Sequence, residues 1–170
     1  INFSAAPQVA IVAVKEDLLA VEEANSFTAA QQAQAQANLG ISEAPQGRLT
    51  LQTAVPVMVT TQSAKTTIYY TAYAGNQIPI YNGTSMVPTV ITGGEISVAT
   101  SDTTKSPAAI GASKVNDWFV WNDSGTIRLG HGPDWTSDTA RSAGTALVMV
   151  NGILLNNASI TNGPAASRGT

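Results

Sequence analysis

Cysteine is absent from these 170 residues, and histidine occurs once. Without cysteine there is no disulfide scaffold, thiolate zinc site, iron–sulfur cluster or cysteine nucleophile. A single histidine cannot build a multi-histidine metal site. Charge is also scarce, at 11% of residues, less than half the usual share. The 8 Lys and Arg are scattered, and the formal net charge is −3. They do not form the dense basic face that replaces counterions on nucleic acid, so no nucleic-acid partner is expected. The longest apolar run, Val9–Val14, falls far short of the roughly 20 residues of a membrane helix, so no membrane insertion is expected.

What is present is 44% hydrophobic residues with low net charge, which argues against disorder. Few of the other residues are charged, and the chain is rich in Thr, Ser, Asn, Gln, Ala and Gly. A surface so poor in charge repels other proteins weakly and favours close contact between chains. Composition therefore points towards a part of an assembly. The chain begins at Ile1 rather than Met, so residues are expected to precede it. Ile1–Ala10 lacks the basic start and long apolar stretch of a signal peptide, and Pro164–Thr170 carries no anchoring or sorting motif.

Composition changes at Ala44-Pro45-Gln46-Gly47, where Pro and Gly punctuate the chain. Residues 1–45 carry Lys15 against Glu16, Asp17, Glu22, Glu23 and Glu43, a net −4, while residues 46–170 carry a net +1. Nearly all the aromatic residues lie in the second part. This predicts an N-terminal attachment or oligomerisation appendage over 1–45 and an antiparallel β domain over 46–170.

Within the appendage, Thr28 and Gln31 have the spacing of a capping box. Ala29–Asn38 is almost entirely Ala and Gln, both good helix formers, and Gly40 stands where a helix commonly ends. Ala30, Ala33 and Ala37 form a small-residue stripe, with Leu39 and Ile41 just beyond. A helix of about ten residues is unstable alone in water and must dock, either on its own domain or on a neighbouring subunit. Upstream, Gln8–Val14 reads as a short strand, and Glu16–Ala24 as a helix with Leu18, Leu19 and Val21 inward. No sustained heptad supports a coiled coil. Leu18, Val21, Phe27, Ala30, Ala33, Ala37 and Leu39 are the expected contacts with a neighbouring subunit or a larger assembly.

The second part carries three hairpin signals. Ile78–Tyr81 and Thr84–Ile91 flank Asn82-Gly83, with Pro79 and Pro88 demoting parts of the pair to edge strand or loop. Asp117–Asn122 and Thr126–Leu129 flank a three-residue loop, Asp123-Ser124-Gly125. Thr145–Val150 and Ile153–Asn156 flank Asn151-Gly152. Arg48–Thr53, Val55–Thr60 and Thr66–Ala72 add further strands, giving eight or nine in all. The fold class expected is mainly β, an antiparallel sandwich or barrel with an N-terminal helical appendage. Ser101–Ser113 reads as a long loop with one helical turn at Pro107–Gly111. In Trp118-Phe119-Val120-Trp121, residues 118 and 120 face one side and 119 and 121 the other. Both faces are apolar, so this strand is either sandwiched or covered by another subunit. Leu147, Met149 and Leu129 are its expected core partners.

No constellation for chemistry emerges. His131, with Asp134 and Asp138 nearby, lies on a Gly/Pro loop that fixes no nucleophile–base geometry. Asp102, Asp117 and Asp123 lack the spacing of a calcium loop. Gly93-Gly94 lacks the Lys and helix of a phosphate loop, and no serine occupies a Gly-x-Ser-x-Gly elbow. No enzyme activity, cofactor, metal site or catalytic residue is therefore expected. Asn82, Asn122 and Asn157 begin glycosylation triplets that an Asn-, Ser- and Thr-rich chain produces by chance. Sugars stack on aromatic faces, and Trp135, Tyr81, Tyr73 and Trp118 are available, with Trp135 and Tyr81 the candidate glycan contacts. Core or interface packing is the competing role for each.

Two stretches carry a resemblance. Phe27–Ile41, Ala/Gln-rich and ending Asn-Leu-Gly-Ile, resembles the short linker helix of tailed-bacteriophage fibre proteins, with Gln36 where many have Arg. Gly47–Leu51, Thr67–Thr71, Gly75–Tyr81, Asp117–Asn122, Gly132–Trp135 and Asn162–Ala166 follow in order. Together they resemble a structural domain common in phage and prophage genomes, over about 46–170, in which the chain commonly runs on past the last motif. The resemblance implies a fibre-like virion component without enzyme activity, often a homotrimer. It also implies localisation to the virion after assembly in the bacterial host cytoplasm, with capsid, portal or tail proteins as partners. A capsid decoration or head-fibre protein, and a module binding host surface polysaccharide, are the alternatives.

Overall fold

The computed structural model describes Thr28, Gln31, Ala35 and residues 44–170. The chain divides into two compact units, Ile1–Leu39 and Gly40–Thr170. In the first unit the expected capping box is formed. The Gln31 N–H donates to the Thr28 hydroxyl at 3.3 Å, and the Thr28 N–H donates to Gln31 Oε1 at 3.0 Å. Gln31 and Ala35 are helical. The remaining expectations for the appendage fall outside the described residues.

The described residues of the second unit form nine strands: β1 (Gly47–Thr50), β2 (Thr67–Ala72), β3 (Gln77–Tyr81), β4 (Met86–Val90), β5 (Glu95–Ala99), β6 (Trp118–Asp123), β7 (Thr126–His131), β8 (Leu147–Val150) and β9 (Ile153–Asn156). Every named pair is antiparallel. The strands form one three-stranded sheet, β1-β2-β5, and three hairpins, β3-β4, β6-β7 and β8-β9. None of these sheets closes into a barrel.

The turns explain the hairpins. Asn151 and Gly152 both have positive φ, 49° and 83°, which matches the twist of the flanking strands. Between β6 and β7, Asp123 pairs with Thr126. The turn is therefore the two residues Ser124-Gly125, at φ 51° and 95°, one residue shorter than expected. Between β3 and β4, Tyr81 pairs with Met86. That loop is four residues long, because Asn82 Oδ1 accepts the N–H groups of Thr84 and Ser85 and widens the turn. Pro79 faces Pro88, at a register where neither missing N–H leaves a ladder bond unmade.

Two segments depart from expectation. Val55–Thr60 is not a strand but belongs to the loop following β1, and Val59 is 90% exposed. Its β-branched residues find no strand to pair with, and propensity alone does not make a sheet. Pro107–Gly111 forms no helical turn; Ile110 instead donates its N–H to the Thr100 carbonyl.

The core lies on both sides of β6. Val120 joins Tyr70, Ile78, Ile80, Ile91, Val98 and Leu129 in one cluster, with Trp118 packed against it. Phe119 and Trp121 join Ile160 in the other, with Leu147 against them. The alternation along Trp118–Trp121 thus divides two cores within one chain. Met149 is 61% exposed and is not a core partner. It pairs with Leu154, nearer the hairpin turn than the pair Leu147–Asn156.

The segment after β9 completes the second core. Thr170 and Val120 exchange two backbone hydrogen bonds of 3.0 Å, so Thr170 lies along the edge of β6 that β7 leaves open. The buried Asn156 carboxamide holds this segment in place. Its nitrogen donates to the carbonyls of Ala158, Pro164 and Ala165, and its oxygen accepts the N–H groups of Arg168 and Gly169.

Candidate functional site

The sequence brings attention to His131, at the end of β7. Its imidazole is 2% exposed and its ring centroid lies 5.3 Å from that of Trp118. Nδ1 lies 2.6 Å from the Gly132 carbonyl, so it carries the proton and donates. Nε2 is buried without a hydrogen-bond partner. Asn116 Nδ2 donates to the same Gly132 carbonyl at 3.3 Å and to Asp134 Oδ1 at 2.9 Å. Asp134 Oδ2 accepts the Gly111 N–H at 3.0 Å. Both oxygens of Asp134 therefore fasten loops. Asp138 is exposed, and among the described residues no three metal-ligating side chains gather.

Trp135 and Tyr81, the two candidate glycan contacts, occupy different environments. The Trp135 indole N–H donates to Asp117 Oδ2 at 3.0 Å, and the Arg141 guanidinium lies 4.5 Å from its ring centre. Arg141 also makes a bidentate pair with Asp117, at 2.8 and 3.0 Å. This pair raises the Arg141 pKa above its ordinary value. One face of Trp135 is thus occupied by a cation that is itself paired, leaving less of the ring for a sugar.

Tyr81 lines an open groove of about 810 Å³. The groove is assembled from three separate pieces of chain: the β3–β4 hairpin, the end of β6 with its turn, and the loop after β9. Val87, Thr89 and the buried Trp121 contribute apolar lining, and Asn82, Asn122, Asp123 and Arg168 contribute polar groups. Two of those polar groups are fixed by their own turns. Asn82 Oδ1 accepts from Thr84 and Ser85, and Asn122 Oδ1 accepts from Gly125 at 2.7 Å. Asp123 pairs with Arg128 at 3.3 Å. The Arg168 guanidinium lies against Gly83, where an added Cβ would fall 2.6 Å from its nitrogens. Nothing in the local sequence signalled this assembly, because Tyr81 and Arg168 stand 87 positions apart.

Two further carboxylates fasten loops. Glu95 on β5 accepts from the Thr53 hydroxyl, the Ala54 N–H and the Thr71 hydroxyl. Burial raises its pKa, but these hydrogen bonds outweigh it and hold the carboxyl below its ordinary value. Asp102 accepts from the Thr104 hydroxyl and N–H and pairs with Lys105 at 3.1 Å, which brings its pKa down to about 2.

Leu18, Val21, Phe27, Ala30, Ala33, Ala37 and Leu39 lie outside the described residues. A scan against family models and searches of curated proteins and of solved structures found nothing that matches this chain.

Proposed function

We propose that this chain is a structural component of a tailed-phage virion. In this reading it is fibre-like, held to the particle by a helical appendage over residues 1–45. Residues 46–170 project or trimerise through β sheets packed as a sandwich. The observation that carries the reading is the apolar surface of a chain with few charges. Met149 and Leu154 are 61% and 49% exposed, and they face each other across the β8–β9 ladder. Val59, Tyr73 and Val90 add exposures of 90%, 55% and 50%. Isolated apolar side chains are ordinary on protein surfaces, but a cross-strand pair on a surface of such low charge favours burial against other chains.

The order of sequence motifs from Gly47 to Ala166 supports the same reading through its resemblance to phage structural domains. The test is assembly. Removing residues 1–45 leaves a folded β domain that no longer enters virions, scored by circular dichroism and by the protein content of purified particles. The mass of the full chain in solution is that of a trimer. A stable monomer, or incorporation without residues 1–45, counts against the proposal.

A further inference from the structure

We infer that the groove between the β3–β4 hairpin, the β6–β7 turn and the loop after β9 is a binding site for a saccharide bearing a carboxylate. The groove offers a ligand donors, an acceptor and an aromatic surface. The Asn82 and Asn122 side-chain oxygens are occupied by turn N–H groups, so each carboxamide presents its two N–H donors. Arg168 adds five more donors, and its guanidinium has no ion-pair partner among the described residues. Asp123 supplies an acceptor and is already charge-compensated by Arg128. Tyr81, half-buried, supplies an aromatic surface beside them.

These groups divide the recognition between them. A sugar ring buries an apolar face against an aromatic side chain and presents hydroxyls at its rim. Those hydroxyls donate to Asp123 and accept from the two carboxamides. The guanidinium selects the charged member of the class, because it binds a carboxylate through two parallel hydrogen bonds. The groove is held ready for this by its surroundings. The Arg168 backbone N–H is fixed by Asn156 Oδ1 at 3.2 Å, and its guanidinium lies across Gly83 of the opposite hairpin. Asn82 and Asn122 are set in place by their turns, so these two groups need less ordering on binding. Volume agrees as well, since about 810 Å³ is enough for two or three sugar rings.

The inference does not depend on the virion assignment. A chain that never enters particles retains the groove, and a virion subunit with an unused groove still assembles. The test is titration of the full chain with tetragalacturonate at low ionic strength, followed by calorimetry. Maltotetraose and inorganic phosphate serve as comparison ligands. We expect saturable binding of the acidic tetrasaccharide at one site per chain. We expect affinity at least about tenfold lower in Arg168→Gln, where the charge-assisted pair is lost, and a comparable loss in Tyr81→Ala. Trp135→Ala leaves binding unchanged. Thermal melts establish that each variant is folded, and Arg168→Lys recovers part of the affinity if the charge matters. The inference is overturned by absence of saturable binding, by equal affinity for maltotetraose, or by phosphate binding as tightly as the tetrasaccharide. It is also overturned if folded Arg168→Gln binds as the parent does, or if Trp135→Ala is the variant that abolishes binding.

Discussion

Asn156 joins three stretches of backbone with one carboxamide. Its side chain takes part in five hydrogen bonds, donating to the carbonyls of Ala158, Pro164 and Ala165 and accepting from the N–H groups of Arg168 and Gly169. The residue is 2% exposed, so water cannot replace them. Substitution by Ala strands several buried peptide groups at once. We expect Asn156→Ala to lower stability by about 2–4 kcal/mol. A fall in the urea midpoint with an unchanged slope identifies the loss as one of stability. Ionisation acts at the same scale. The folded Asp102 titrates near 2, against an ordinary 3.8, and Glu95 is shifted in the same direction. A depressed carboxyl stabilises the fold above its unfolded pKa, and that contribution is lost as pH falls through the folded one. The urea midpoint therefore drops between about pH 4 and pH 2, and Asp102→Asn flattens that drop. An Asp102→Asn profile as steep as the parent's rejects the assignment.

The hairpins carry most of the local information in this chain. Asn151-Gly152 needs two positive φ angles, and Gly152 meets the second without steric strain. Gly152→Val places a β-branched side chain at φ 83°. We expect a loss of at least about 1 kcal/mol. Amide exchange then accelerates across β8 and β9 before it does in β2. Uniform acceleration across all strands contradicts a local effect. This hairpin was legible in the sequence because its turn chemistry lies within adjacent residues. The alternation from Trp118 to Trp121 was legible for the same reason, since a strand's two faces follow from a period of two. The loop after β1 was not. Val55, Val57 and Val59 have the composition of a strand, but a strand exists only where a partner offers a free edge. Met149 misled similarly, because alternation gives the face of a strand and not how far the core extends along it.

At the scale of the molecule, what could not be read locally is what distant segments make together. The groove takes Tyr81, Asn122 and Arg168 from three separate loops and strand ends, far apart in the chain. The weave of the segment after β9 is of the same kind. Val120 and Thr170 are joined through their backbones across 50 residues. Removing Ser167–Thr170 uncovers one edge of β6 and deprives Asn156 of both its donors. We expect this truncated chain to melt at a clearly lower temperature than the parent and to bind a hydrophobic dye, reporting exposure of Phe119 and Trp121. An unchanged melt shows that the second core closes without the weave.

That weave also sets an order of events during synthesis. The edge of β6 is made early and waits for a segment translated well after it, so the core around Phe119 and Trp121 stays unsealed until Thr170 has left the ribosome. Contacts of such long sequence separation form slowly. An emerging chain with an unpaired strand edge is open to wrong partners in the interval. Where several ribosomes follow one another along a message, the time from the emergence of β6 to the arrival of Thr170 is when neighbouring nascent chains are exposed to mispairing.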